Sequence, residues 1–339
     1  MLAGHIYQGV EVKYIVPLTR YIPMARILAN DGLDSSCIEY LLDRGHVVVS
    51  DRVGEEDVQN GALSGFDCII VRSATKLNSD AITANSGSGS KLKLIIRAGV
   101  GLDNIDLEAA ESCGIDVRNT PAASTNAVVE FTIAHLLTGI RMISRADRDL
   151  RGNKWTKGLL RGSELSGKNL GLVGYGRIAR NVANISRTFG MNVHTYDPLL
   201  LRNKIDDDNI TIHDSIESLF TNCTHISIHC AKNDSTENIV NGDLIMLMPD
   251  KSPDGVLCGR HIVNCSRGGI MVEKDVYTLV ESGFITSLGV DVFEKEPEGN
   301  PTLTALSNVT STPHIGASTR EAQLRIGWEV VDIIEDLLT

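Results

Sequence analysis

Three polar residues in the second half of the chain have types suited to proton and anion chemistry. They are Arg267 in NCSRGG, Glu296 in DVFEKEP and His314 in STPHIGAS. Histidine exchanges protons near neutral pH. A carboxylate can hold its imidazole and stabilise the cationic form. A guanidinium grips a carboxylate at two points and polarises a carbonyl. Together they suit hydride transfer from a 2-hydroxy acid, with the hydroxyl proton leaving to a base. Each residue alone reads more simply, as a surface charge or a loop histidine. Their placement argues otherwise, because Arg267 follows the apolar run His261–Asn264 and Glu296 follows Ser287–Val290. Open parallel sheets bind ligands beyond the carboxyl ends of such strands.

A hydride needs an acceptor, and residues 169–197 supply its binding motif. An apolar run leads into Gly174-Tyr175-Gly176-Arg177-Ile178-Ala179, then a helix with apolar positions 178, 182, 185 and 189, then a second run ending in Asp197. This is the dinucleotide fingerprint in its strand–turn–helix setting. Gly174 allows the tight turn, Gly176 lets the backbone approach a pyrophosphate, and Ala179 permits close helix packing. The helix N-terminus offers N–H donors to the phosphates. Asp197 lies 21 residues beyond Gly176, where a carboxylate binds both ribose hydroxyls and repels a 2′-phosphate. NAD is therefore expected over NADP.

The elements that must position these groups alternate strand and helix, which implies parallel βαβ units and an α/β fold. Strands are expected at Ala25–Ala29, His46–Val49, Cys68–Val71, Leu92–Ile96 and Gly114–Val117. A helix capped by Ser35 or Ser36 carries Ile38, Leu41 and Leu42 and closes at Gly45. Asn85–Lys91 reads as a flexible Gly/Ser loop. After Asn119-Thr120-Pro121, Ser124 or Thr125 caps a long apolar helix from about Asn126 to Arg145. A second series follows, with strands at Leu170–Val173, Asn192–Tyr196, His225–His229, His261–Asn264 and Ser287–Val290. A helix, Arg320–Leu338, closes the chain.

Composition narrows the partners. The 339 residues suit ~2 domains. A net charge of −11 argues against nucleic acid or an anionic membrane. A run long enough to span a bilayer is not seen. Seven cysteines without a C-x-x-C pair point away from a disulfide framework or zinc ribbon and toward a reducing cytoplasm. No metal is expected. His225 and His229 share a strand face about 13 Å apart at the strand rise, too far for one ion. Residues 1–23 read as an extension without a targeting role, with Met24 as an alternative start.

The ordered set GYGRIA, YDP, NCSRGGI, DVFEKEP and TPHIGAS resembles the D-isomer-specific 2-hydroxyacid dehydrogenases, over nearly all of the chain from Met24. Within that family, VRSATK (Val71–Lys76), IIRAGVGLDNIDLEAA (Ile95–Ala110) and NTPAASTNAVVE (Asn119–Glu130) are most similar to the members that oxidise 3-phospho-D-glycerate to 3-phosphohydroxypyruvate, the first step of phosphorylated L-serine synthesis. The resemblance implies Arg267, Glu296 and His314 as the catalytic trio. It implies Gly174, Gly176, Arg177, Ile178, Asp197, Cys230, Cys265, Ser266, Asp291, Gly316 and Ala317 around NAD, with Asp291 on the nicotinamide carboxamide. It places Arg72, Arg97, Gly99, Ser124 and Thr125 at the substrate, and a phosphorylated substrate would need such cations. The implied fold has two flavodoxin- or Rossmann-like domains, a substrate domain of 24–120 plus 312–339 and an inserted NAD domain of 121–311. Hinges are expected near Pro121 and Pro313. A homodimer or tetramer is expected through the NAD domain, helped by the helix after Ser124.

Departures are also visible. Val100 stands where some relatives carry a hydroxyl, and Ser124 where many have Asn. Residues 246–260 look like an expanded surface loop. The chain stops after the closing helix, so feedback inhibition by serine through a C-terminal domain is not expected. Two other readings stay open: the same chemistry on glyoxylate, hydroxypyruvate or another D-2-hydroxy acid, and an NADH-sensing role like that of carboxy-terminal-binding co-repressors. Against the second, an extended disordered tail is lacking and VRSATK is present.

Overall fold

The structure, a computed structural model, describes residues 24–203 and 209–338 and a short antiparallel pair, β1 (Ile6–Tyr7) with β2 (Val10–Glu11). The rest of the extension expected over 1–23 lies outside the described residues.

Two parallel sheets form the molecule. The first contains β3 (Arg26–Ala29), β4 (Val47–Val49), β5 (Cys68–Val71), β6 (Leu94–Arg97) and β7 (Asp116–Asn119), in the order β4-β3-β5-β6-β7. The second contains β8 (Asn169–Val173), β9 (Asn192–Tyr196), β10 (Thr211–Ile212), β11 (His225–Ile228), β12 (His261–Asn264), β13 (Ser287–Val290) and β14 (Val309–Ser311). Its order is β10-β9-β8-β11-β12-β13-β14. These are the flavodoxin-like and Rossmann orders of doubly wound sheets, which bind ligands where the strand order reverses. The reversals lie between β3 and β5 and between β8 and β11.

Helices cover both sheets, so central strands are apolar on both faces. Every residue of β5, β11, β12 and β13 is buried. The final helix, Arg320–Leu338, returns to the first sheet. Its Ile326, Val330, Val331 and Ile334 pack with Ile27, Cys68, Leu94 and Ile96. The helix Thr125–Ile140 turns Val129, Ile133, Leu136 and Ile140 onto Leu170, Leu172 and Val263 of the second sheet. Fully burying each aliphatic side chain contributes ~1.5–3 kcal/mol.

Several local expectations are corrected. The long helix is two, Thr125–Ile140 and Ile143–Arg151, bent by 64°. Met142 breaks it with φ +54°. No residue of the second helix is buried, so no apolar face carries the first one straight on. β6 and β7 each start two residues later than their expected strands. The run before β7 is a turn through Gly114 at φ +68°, closing the helix Leu107–Ser112. Asn85 is not part of a flexible loop. Its buried amide accepts from Leu63 N and donates to Val58 O and Ala81 O. The segment 246–260 lies at the amino ends of β8 and β12, away from the cleft, tied by the Lys168–Asp254 ion pair at 2.8 Å.

The helix Ser35–Asp43 is capped by Asp34, whose carboxylate accepts from Ser36 N at 3.0 Å. Neither serine is the cap. Asp34→Ala is expected to lower stability by about 1 kcal/mol, and Ser35→Ala by much less. Urea denaturation of the two variants checks this. Equal losses would return the cap to Ser35.

Candidate active site

The carboxyl ends of both sheets face one cavity of about 770 Å³. From the first sheet come Arg72, Arg97, Gly99 and Asp103. From the second come Gly176, Arg177, Ile178, Cys230, Cys265, Ser266, Arg267, Asp291, His314, Gly316 and Ala317, with Ser124 and Thr125 between the two. Of the residues expected from the sequence, Gly174, Asp197 and Glu296 do not line it.

Arg267 sits in a turn shaped by Asn264. The Asn264 carbonyl accepts from Ser266 N and Oγ, and its amide donates to Arg267 O. Arg267 Nε donates to Asp103 Oδ2 across the cleft at 2.8 Å, and Nη1 donates to Ser266 O at 2.7 Å. Nη2 lies against Gly101, where a Cβ would collide with it. Half-exposed pairs contribute only ~0–1 kcal/mol. The Asp103 contact therefore orients the guanidinium more than it stabilises the fold.

His314 Nδ1 lies 2.7 Å from Glu296 Oε2. A carboxylate only accepts, so Nδ1 carries the hydrogen and Nε2 is left for a substrate. Phe293 N donates to the other oxygen of Glu296 at 3.0 Å. Burial alone would raise the Glu296 carboxyl. The His314 hydrogen bond and charge, the Phe293 N–H and the Arg267 charge together outweigh it and hold it below the usual carboxylate range. The neighbouring Glu294 has another task. Its carboxylate accepts from the N–H of the buried Glu273, and its own N–H donates to the Glu273 carboxylate, which anchors the loop. His314 itself has φ +52°, and its N–H donates to Asp291 O. The Asp291 carboxylate is 1% exposed and accepts from Thr312 Oγ1, Ile315 N and Gly316 N.

Arg72 and Arg97 stand at the ends of β5 and β6. Asp31 holds the Arg72 backbone, accepting from Arg72 N at 2.6 Å and from Thr75 N and Oγ1. The Nε atoms of both arginines are buried and have no hydrogen-bond partner among the described residues. Burial lowers the pKa of both. For Arg97 the charges of Arg267 and Arg72 add to it, giving about 10, so it remains a cation at neutral pH. Gly99, at φ +151°, leaves the space that the Arg97 guanidinium fills.

The turn after β8 fits a dinucleotide. Gly174 has φ +88°, and a Cβ there would lie 3.1 Å from Cys230 N. Gly176 starts the helix Arg177–Thr188 without a side-chain cap, and a Cβ there would meet nothing within 4 Å. The helix N–H groups thus face open space able to take phosphates. Asp197 accepts from Tyr175 N at 2.7 Å and Leu199 N at 2.8 Å, so it braces the turn from beside the cavity. Burial raises the Cys230 and Cys265 thiols to about 11 and about 12. They pack as neutral walls, not nucleophiles.

Asp31, Asp103, Asn264, Glu273 and Thr312 were not singled out from the sequence. A polar residue one or two places beyond an apolar run would have pointed to Asp31. Asp103 faces a partner 164 residues away, and sequence spacing holds no signal for that. Asp197→Ala is expected to weaken NADH binding by about 10- to 100-fold and to narrow any preference over NADPH. Titration of NADH fluorescence measures both. Unchanged affinity would confine Asp197 to bracing the turn.

Comparison with known proteins identifies the family. The family described as "D-isomer specific 2-hydroxyacid dehydrogenase, NAD binding domain" matches residues 133–316. A hydroxypyruvate reductase of Thermotoga maritima is 41% identical over 312 residues, 91% of this chain and 97% of that protein. A D-3-phosphoglycerate dehydrogenase of Synechocystis is 36% identical over 98% of this chain, which spans only 58% of that protein. Among solved structures, an acyclic imino acid reductase in complex with NADPH and D-Arg is similar at TM-score 0.80 and 28% identity, covering 92% of this chain and 97% of that one. A glyoxylate reductase from Paecilomyes thermophila matches at TM-score 0.80 and 27% identity, covering 92% and 94%. In this chain a seven-stranded parallel sheet with an open glycine turn faces a second parallel sheet across a cleft; with the family match over residues 133–316 and the 41% identity above, the chain belongs to the D-isomer-specific 2-hydroxyacid dehydrogenases, NAD-dependent oxidoreductases.

Proposed function

We propose that the chain oxidises 3-phospho-D-glycerate to 3-phosphohydroxypyruvate with NAD. The observation that carries this reading is the pair of buried, unpartnered Nε atoms of Arg72 and Arg97 in the wall of the cleft that also contains Arg267. Three guanidiniums exceed what a single carboxylate needs. A second anionic group on the substrate gives the extra cations a partner.

Bound NAD supplies the hydride acceptor. Arg267 holds the substrate carboxylate through Nη2 and the free edge of Nη1, since Nε is bound to Asp103. His314 Nε2 takes the hydroxyl proton as the carbon is oxidised, and Glu296 stabilises the imidazolium that forms. In the reverse direction the same imidazolium returns the proton to the keto oxygen. Asp291 keeps the His314 segment in place through its backbone. The two sheets close over the reacting carbon and exclude water.

A second reading, reduction of hydroxypyruvate, has its own support. The Thermotoga hydroxypyruvate reductase is 41% identical to this chain, against 36% for the Synechocystis phosphoglycerate dehydrogenase. The two readings separate at Arg72. Arg72→Ala is expected to lower kcat/KM for 3-phosphoglycerate by ~10- to 150-fold, the loss of a charge-assisted pair, and for D-glycerate by far less. NAD reduction followed at the NADH absorbance, with both acids in parallel, gives the ratio. Equal losses would remove the phosphate reading. His314→Gln is expected to lower kcat by about 10²- to 10⁴-fold while NADH still binds. Turnover within tenfold of the parent would place the acid–base group elsewhere.

A further inference from the structure

The imidazole of His135 takes no part in the chemistry above, yet a string of hydrogen bonds ties it to that chemistry. His135 lies on the helix Thr125–Ile140 and is 4% exposed. Its Nε2 is 3.2 Å from Thr312 Oγ1, and Thr312 Oγ1 is 2.7 Å from Asp291 Oδ1. The direction of these bonds follows from the groups. The carboxylate only accepts, so the single hydroxyl hydrogen of Thr312 goes to Asp291. The Thr312 oxygen must then accept from His135, which places the imidazole hydrogen on Nε2. Nδ1 is left bare. It is buried, without a partner among the described residues, and faces Gly289. A Cβ at Gly289 would lie 2.9 Å from it, so the glycine makes the room that the ring occupies. Burial keeps the ring neutral, although the Asp291 charge acts the other way.

The far end of the string is the segment that carries His314. Asp291 Oδ1 also accepts from Ile315 N at 2.9 Å, and Oδ2 from Gly316 N at 2.8 Å. His314 N donates to Asp291 O. The same helix face supports this segment by packing. Phe131 stacks edge-on against the His135 ring, with centroids 4.9 Å apart. Phe131 and Val128 also border Gly316, where a Cβ would lie 3.5 Å and 3.8 Å from them. His314 needs such support. A non-glycine residue at positive φ persists only where its surroundings over-determine it.

We propose that His135 is a positioning residue for His314, acting through Thr312 and Asp291 to hold the 312–316 segment in its left-handed turn. This rests on the reading of His314 as the acid–base group. One hydrogen-bond direction runs through the whole string, from imidazole to hydroxyl to carboxylate. The carboxylate then holds the backbone on either side of the catalytic ring. Replacing His135 by an apolar residue leaves Thr312 Oγ1 without its donor and lets the hydroxyl and the carboxylate shift.

Three variants test this: His135→Leu, His135→Gln and Thr312→Val. Glutamine keeps an N–H donor near the position of Nε2, and leucine keeps only the volume. Steady-state rates with NAD and 3-phosphoglycerate, or with NADH and hydroxypyruvate, give kcat and KM. Hydrogen–deuterium exchange of the Ile315 and Gly316 amides gives the state of the segment without reference to activity. In His135→Leu and Thr312→Val, kcat is expected to fall about 5- to 50-fold, KM to change less than about threefold, and both amides to exchange about tenfold faster. In His135→Gln both readouts return to within about threefold of the parent. Thr312→Val serves where His135→Leu does not fold. Unchanged kcat in the leucine variant overturns the proposal. So does a glutamine variant as impaired as the leucine one, which would reduce His135 to ring packing. If the parent protein turns over neither acid, the functional reading fails on its own. Amide exchange then decides: faster exchange rescued by glutamine keeps the positioning role, and unaltered exchange removes it.

Discussion

Carboxylates and amides that accept backbone N–H bonds hold the loops of this cleft, and four of its segments each depend on one of them. Asp31 fixes the turn of Arg72, Asn264 that of Arg267, Asp291 the segment of His314, and Asp197 the glycine turn. Loops at the carboxyl ends of parallel strands have lost the hydrogen-bond ladder, so their N–H groups need other acceptors. Short acidic and amide side chains at those ends supply them. This accounts for a chain of net charge −11 whose cleft nonetheless contains Arg72, Arg97, Arg177 and Arg267. Several of its acids act as backbone acceptors rather than as partners of the arginines.

That division has an electrostatic consequence. Arg97 is destabilised first by burial and then by Arg267 and Arg72, with Asp103 and Asp31 only partly offsetting them. Like charges held together in a partly desolvated cleft gain most when an anion arrives, because the anion relieves repulsion as well as adding attraction. Under the proposed function, the fold bears this cost where an anionic substrate would recover it. Asp103 moderates it on one edge of Arg267 and leaves the other edge free.

Much of this was legible in the sequence, for physical reasons. β5, β11, β12 and β13 are short apolar runs buried on both faces, and the glycine turn has a steric requirement that few residues meet. Arg267 and Glu296 follow β12 and β13, so the topology brings them to one edge; His314 follows β14, a three-residue strand that is only partly buried and carries no apolar run to mark it. What the sequence concealed was mostly a choice between chemically equal neighbours. Asp34 rather than Ser35 or Ser36 caps its helix, because only Asp34 stands at the helix start with a free acceptor. Asn85 sits in a Gly/Ser stretch that suggests mobility, yet its amide binds three backbone groups. The break at Met142 depends on where the buried face ends, and the apolar count of the helix does not mark that point. Asp103 and Thr312 act through partners distant in sequence, and spacing says nothing of those.

The two sheets bring different groups to the cleft. The turn that meets the cofactor, Arg267, and the His314–Glu296 pair all belong to the seven-stranded sheet or the loops at its edge. Arg72 and Arg97 belong to the five-stranded sheet and approach from across the cleft. Under the proposed function, a change in the far wall alters which acid fits while the groups assigned to proton transfer stay in place. Relatives named for hydroxypyruvate and 3-phosphoglycerate are similar to this chain at 41% and 36% identity, as that separation permits. The proposed trio would act on any 2-hydroxy acid, since carboxylate, hydroxyl and hydrogen are common to all of them. Only groups reaching past the reacting carbon can read the remainder of the molecule. In the proposed function those groups are Arg72 and Arg97, whose Nε atoms are buried without a partner among the described residues, and a substrate group that pairs with both brings negative charge.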